Sequence, residues 1–143
     1  MNKNLKKILF ISSNARSLYN FRGDLINRIK ENEYQVAAII PYPNTSDELE
    51  LSNLNIHLFK IDFTNNRIKF FNEFFSFFKI FYIIKKYNPD KIIAYTLKPI
   101  VYSGLSIFFF KKKINFYPIF TGLGAIFNSK NNKIIFLSII IKF

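Results

Sequence analysis

The sequence predicts an α/β domain: a parallel sheet with helices on both faces. Three observations predict it. Short apolar runs bounded by polar turn formers recur along the chain, which is how buried parallel strands read. Longer stretches between them place apolar residues at helical spacing. The two kinds alternate from end to end with no internal repeat and no linker, an order that needs crossover helices rather than hairpins. At 143 residues the chain is one domain of ordinary size.

The first strand is the run Ile8-Leu9-Phe10-Ile11 behind Lys6 and Lys7. A polar loop, residues 12–20, follows, and then a helix with apolar positions at Phe21, Leu25, Ile26 and Ile29. In open α/β sheets ligands bind where such loops leave the carboxyl ends of strands. Two readings stand for this loop: a binding loop carrying Arg16 and Tyr19, or a plain strand-to-helix connection. Residues 34–40 form the second strand, stopped by Pro41-Tyr42-Pro43-Asn44. Residues 45–52 are polar and acidic, a loop with a short helix for which Ser46 serves as N-cap. Residues 55–61 alternate partially and read as an edge-like third strand, with His57 structural or solvent-facing.

Residues 67–87 form a long helix whose apolar residues, mostly Phe, cover far more than one face. It is either a core helix or one docked at a membrane surface. In the second reading Phe74 and Phe78 enter the interface and Lys79, Lys85 and Lys86 meet anionic headgroups. Asn88-Pro89-Asp90 ends this helix, and residues 91–95 are the fourth strand. The turn Thr96-Leu97-Lys98-Pro99 leads into a helix over 100–110, with Pro99 in its first turn. Ser103, Gly104 and Ser106 allow that helix to pack closely, and Lys111-Lys112-Lys113 closes it where cations suit the macrodipole. Residues 114–119 are the fifth strand, running into the loop Phe120-Thr121-Gly122-Leu123-Gly124. An apolar helix begins near residue 134 and is expected to lead onward to a further domain.

Composition narrows the chemistry. Lys and Arg number 21 against 9 Asp and Glu, a formal charge of +12, which suits an anionic partner. The joint excess of Lys, Asn, Ile and Phe is also the imprint of an AT-rich genome, so part of that charge follows codon usage. No cysteine is present, which excludes disulfides and cysteine metal sites, and the lone His57 lacks partners for a metal. No signal peptide fits, and no apolar run reaches the length of a membrane span. Nor is there a dinucleotide fingerprint, a P-loop or a placed pair of carboxylates; Gly23 falls inside the first helix. In this topology the ends of strands one, four and five share one edge. They gather Asn14, Arg16, Tyr19, Arg22, Thr96, Lys98 and Thr121, with backbone N–H groups near Gly122 and Gly124, as a site for a phosphate or another anion.

The chain resembles the N-terminal domain of family-four glycosyltransferases, in the subgroup that builds bacterial surface polysaccharides and lipid-linked glycans. The resemblance rests on Ile8-Leu9-Phe10-Ile11-Ser12-Ser13-Asn14 with Tyr19-Asn20-Phe21-Arg22, on Asn88-Pro89-Asp90 with Tyr95-Thr96-Leu97-Lys98-Pro99, and on Thr121-Gly122-Leu123-Gly124 with Phe127. It implies the N-terminal half of a GT-B architecture, in which two Rossmann-like domains flank a cleft. Residues 1–130 would be the acceptor-side domain, and 131–143 would begin the passage to a C-terminal domain that holds the nucleotide-sugar. The resemblance further implies retaining transfer without a metal or other cofactor. The implied acceptor is a polyprenyl-diphosphate glycan at the cytoplasmic face of the membrane, where the protein is peripheral. Arg16, Arg22 and Lys98 would then neutralise diphosphate oxygens. Many family members carry a glycine pair in the first loop and a histidine after the fourth strand; Ser13-Asn14 and Tyr95-Thr96 stand there instead. The 143 residues alone are expected to be inactive. A half-enzyme completed by a separate donor-domain subunit is the alternative. A basic nucleic-acid module has only the charge in its favour, without an RNA-binding or helix-turn-helix pattern.

Overall fold

The computed structural model describes residues 5–63 and 70–121, with 70–73 described by their backbone. Among the described residues nine elements follow in order: β1 (Lys7–Ser12), α1 (Ala15–Glu31), β2 (Gln35–Ile40), α2 (Thr45–Asn53), β3 (His57–Lys60), α3 (Phe70–Tyr87), β4 (Lys91–Tyr95), α4 (Leu97–Ile107) and β5 (Asn115–Ile119). The strands form one parallel sheet in the order β3-β2-β1-β4-β5. This is the Rossmann-like α/β arrangement that the alternation of elements predicts. The Gly122 and Gly124 loop, the apolar segment 134–143 and residues 67–69 of the long helix lie outside the described residues.

The central strands β1, β2 and β4 are apolar on both faces because both faces are covered. Ile8, Phe10, Val36, Ala38 and Ile40 meet Leu18 and Ile26 of α1 and Leu51 of α2. On the other face Leu9, Ile11, Ile39, Ile92 and Ala94 meet Ile80, Ile83 and Ile84 of α3 and Ile100 of α4. Each Val, Leu, Ile or Phe among them, fully buried, contributes about 1.5–3 kcal/mol of transfer free energy. The edge strands β3 and β5 are only partly covered, and β5 tolerates Pro118 for that reason. His57 on β3 is exposed, edge-on to Phe59.

Several local expectations change. α1 begins at Ala15, so Arg16 and Tyr19 lie in helix rather than loop. The Asn14 side chain accepts from Ser17 N at 3.0 Å and starts the helix early. Its buried residues are Ala15, Leu18 and Ile26, while Phe21 is 71% exposed and Leu25 is exposed too. The core stripe therefore runs through 15, 18, 22, 26 and 29, and Arg22 lies on it. α2 is capped by Asn44, which accepts from Asp47 N at 2.8 Å, and not by Ser46, whose hydroxyl only supports that cap. α4 spans Leu97–Ile107, so Lys111, Lys112 and Lys113 lie beyond its last turn and do not close it.

The small residues of α4 serve as expected. Ser103 and Ser106 are fully buried, and their hydroxyls donate to the carbonyls of Pro99 (2.6 Å) and Tyr102 (2.7 Å). Past α3, Asn88 takes φ 54°, a left-handed stop that asparagine accepts. Asp90 then ties three strands at the amino edge of the sheet. Its carboxylate accepts from Lys7 N (2.7 Å) and pairs with Lys112 Nζ (2.8 Å); its N–H donates to Lys7 O, and its carbonyl accepts from Asn115 N. Lys112, and next the Lys7 amide, hold its carboxyl below the ordinary range.

Candidate functional site

The sheet order changes direction between β1 and β4, the position at which open α/β sheets bind ligands beyond their carboxyl ends. Ser12 and Tyr95 face each other there in register. Two helices start from this point, α1 after Asn14 and α4 after Thr96, and each presents backbone N–H groups and the positive end of its dipole.

Ser13 and Thr96 join the two loops through a hydroxyl–hydroxyl bond of 2.6 Å. Thr96 sits at φ 72°, ψ 152°, a region that only glycine occupies without strain. Its side chain leaves α4 uncapped and holds Ser13 instead. Ser12 organises the neighbouring turn: its hydroxyl lies 2.8 Å from Asn14 O and 3.2 Å from Ser17 Oγ, and accepts from Asn14 N.

Arg22 lies over the face of Tyr95, with its guanidinium carbon 4.9 Å from the ring centroid. Tyr95 is 1% exposed, and its hydroxyl has no hydrogen-bond partner among the described residues. Burial pushes that hydroxyl's pKa well above the ordinary range, against smaller opposing effects of Ser12 and Arg22.

Arg16 and Tyr19 face a partner that sequence reasoning missed. Asp47, buried in the first turn of α2, accepts from Arg16 Nε at 3.2 Å and from Tyr19 OH at 2.9 Å. The hydrogen bond to Asp47 raises the Arg16 pKa; desolvation, and then that same carboxylate, raise that of Tyr19. Arg16 is thus partly neutralised within the chain, and its guanidinium is less available for a diphosphate than its position in the sequence implies. Asn14 likewise spends its side-chain oxygen on the α1 cap.

Lys98 is half-buried in the first turn of α4, and Thr121 is exposed just beyond β5; Gly122 and Gly124 lie outside the described residues. The structure therefore brings together Ser13, Thr96, Tyr95, Arg22 and the two helix starts, with the Arg16–Tyr19–Asp47 group beside them. No signal in the sequence marks Asp47, whose partner Arg16 is 31 positions away, and none pairs Tyr95 with Arg22, 73 positions away. A wider depression of about 630 Å³ opens at the opposite edge of the sheet, against Lys30, Tyr34, Asn55 and His57. There Lys30 is held by Leu54 O and Lys91 by Tyr34, away from the strand ends that bind ligands. Among the described residues no group of three His, Cys, Asp or Glu could hold a metal, and no helix is long and apolar enough to cross a membrane.

Phe74, Phe78, Lys79, Lys85 and Lys86 are all exposed on α3. The buried side of that helix, Ser76, Ile80, Ile83 and Ile84, packs on the sheet. One side of the long helix is thus core, and the other is an aromatic face exposed among the described residues.

The profile of the glycosyl transferase 4-like family matches residues 7–143. Among solved structures the chain is similar to a glycosyltransferase from Rickettsia africae, with 21% identity and a TM-score of 0.60 over 89% of this chain and 34% of that one. It is also similar to MurG of Acinetobacter baumannii, with 14% identity and a TM-score of 0.60 over 79% of this chain and 35% of that one. A third is a putative UDP-N-acetylglucosamine 2-epimerase from Listeria monocytogenes, with 14% identity and a TM-score of 0.58 over 78% and 30%. The chain spans about a third of the length of each of these proteins. No curated protein matches it.

Proposed function

The chain belongs to the glycosyl transferase 4-like family, and from that premise we propose that the β1/β4 edge receives the diphosphate end of a lipid-linked glycan acceptor. A hexosyl or N-acetylhexosaminyl group reaches that acceptor from a nucleotide-sugar, with retention and without a metal. The donor is bound mainly by a second Rossmann-like domain outside these 143 residues, either on the same polypeptide or on a separate subunit. The 143 residues alone bind acceptor and do not turn over. The product is a surface or lipid-linked glycan, made at the inner face of the cytoplasmic membrane, and no nucleic acid takes part.

The observation that carries this reading is the 2.6 Å contact of Ser13 with Thr96, which draws two helix N-termini to one point beside Arg22. Exposed amides, dipole ends and a cation suit a diphosphate. Arg22, stacked on Tyr95 and held on the core stripe, carries the principal side-chain charge there, with Lys98 in the next helix's first turn.

Calorimetric titration with a short-chain prenyl diphosphate tests the reading. Binding is expected, and Arg22→Gln should weaken it about tenfold, the loss of one charge-assisted contact. Absence of binding, or binding that Arg22→Gln leaves unchanged, overturns the site. Turnover of a labelled nucleotide-sugar by the 143-residue chain overturns its inactivity.

A further inference from the structure

We propose that Asp47 sets the specificity of Arg16 and Tyr19: held by its carboxylate, the two bind adjacent hydroxyls of a neutral sugar ring, against which Tyr42 stacks. That this sugar is the one joined to the acceptor's diphosphate rests on the reading above; the sugar site itself does not.

The sheet places these residues together. β1 and β2 are parallel neighbours, with Ile11 level with Ile39, so the loops leaving their carboxyl ends emerge side by side. α1 starts after the first of these loops and α2 after the second. Arg16 lies in the first turn of α1, Tyr19 one turn further on, and Asp47 in the first turn of α2. Asp47 is buried, and the Asn44 side chain accepts from its backbone N–H. A single oxygen, Asp47 Oδ1, accepts from both Arg16 Nε and Tyr19 OH. That one acceptor ties the starts of two helices and fixes both side chains before any ligand arrives, which lowers the entropy cost of binding.

The chemistry of the pair is that of a diol. A sugar hydroxyl both donates and accepts. Arg16 has five N–H donors and spends Nε on Asp47; its side chain is still 58% exposed, so donors remain for one hydroxyl. Tyr19 gives its proton to Asp47 and keeps its oxygen as an acceptor for the next hydroxyl. A diphosphate has no proton to offer Tyr19, and the Asp47 carboxylate opposes its charge. Arg22 differs: its described partners are the Tyr95 ring and the Phe21 carbonyl, with no acid to neutralise it.

Tyr42 completes the site. It is 63% exposed in the loop between β2 and α2 and joins neither core cluster. Pro41 and Pro43 stiffen the backbone on either side of it. A fixed aromatic ring beside a few placed polar groups suits the C–H face of a sugar.

Saturation-transfer NMR of the 143-residue chain with methyl glycosides of glucose, galactose and N-acetylglucosamine tests the site, with a short-chain prenyl diphosphate titrated alongside. At least one glycoside should bind, and the prenyl diphosphate should not displace it. Arg16→Gln and Tyr42→Ala, both at exposed positions, should each weaken it at least about fivefold while the circular dichroism spectrum is kept. Asp47→Asn should weaken the glycoside and tighten the prenyl diphosphate at least about threefold, because the Arg16 charge is released. A merely structural Asp47 would weaken both. No glycoside binding, displacement by the prenyl diphosphate, or binding that Arg16→Gln or Tyr42→Ala leaves unchanged overturns the proposal. So does an Asp47→Asn chain that spares the glycoside or weakens both ligands. Glycoside binding without prenyl diphosphate binding leaves the sugar site standing and overturns the acceptor reading instead.

Discussion

Ser13 and Thr96, 83 positions apart, share a 2.6 Å hydroxyl contact, and Thr96 holds it from a backbone conformation costly for any residue with a β-carbon. The strain is about 1–3 kcal/mol, and it sits at the point where the sheet order turns. Thr96→Ala keeps the strain and loses the bond, so it should destabilise the chain by about 1 kcal/mol. Thr96→Gly loses the bond and the strain together and should be the more stable of the two variants. Urea unfolding of both variants checks the ordering.

Tyr95 makes the opposite prediction. Its ring is buried under Arg22, and its hydroxyl has no partner among the described residues. Tyr95→Phe removes only the unpartnered oxygen and should leave the chain about 1 kcal/mol more stable, as read from the same unfolding curves. A loss of stability would mean that the hydroxyl is satisfied in the folded chain.

Asp90 contributes to the acid end of the pH profile, and Tyr87, alongside the more deeply buried Tyr95, to the alkaline end. The lowered Asp90 pKa means that its carboxylate stabilises the fold fully above the unfolded value of about 4, and that this contribution is lost as pH falls through the folded pKa. Tyr87 runs the other way. Burial, and then Asp90, push its hydroxyl up to about 12. Its neutral form, donating to Gln35 O, stabilises the fold below about pH 10, and that contribution is lost as pH rises through the folded value. Unfolding midpoints across pH should fall at both extremes. Asp90→Asn should make the acid limb shallower, and Tyr87→Phe the alkaline one, with Tyr95 carrying the rest of the latter.

Gly23 separates a helix glycine from a phosphate-loop glycine. A β-carbon there would meet Leu54 Cδ2 at 3.6 Å, an ordinary contact. Gly23→Ala should therefore stabilise α1 by about 0.5–1 kcal/mol. Prenyl diphosphate affinity should stay unchanged.

The element order was legible because buried parallel strands and their helices differ in length and periodicity, and β1, β4 and α3 read plainly. What the sequence hid was set by side chains acting on the backbone. Asn14 and Asn44 start helices earlier than the apolar pattern does. Phe21 and Leu25 fit a helical face but point to water, and the cation among them, Arg22, lies on the buried stripe because Tyr95 waits beneath it. Asp47 could not be paired with Arg16 and Tyr19 from spacing, since α1 and α2 meet only after β2 has been laid beside β1.

The place of β1 between β2 and β4 has a kinetic side. Its pairing with β2 closes over one helix, whereas the contacts that bind it to β4 and to Asp90 span more than eighty residues. Loop closure of that length comes late and slows folding. Until β4 docks, the apolar run Ile8–Ile11 keeps one open edge, the kind of edge that pairs with other chains. The first strand made thus gains its second neighbour only after three helices have formed, and the Ser13–Thr96 contact exists only once β1 and β4 are paired.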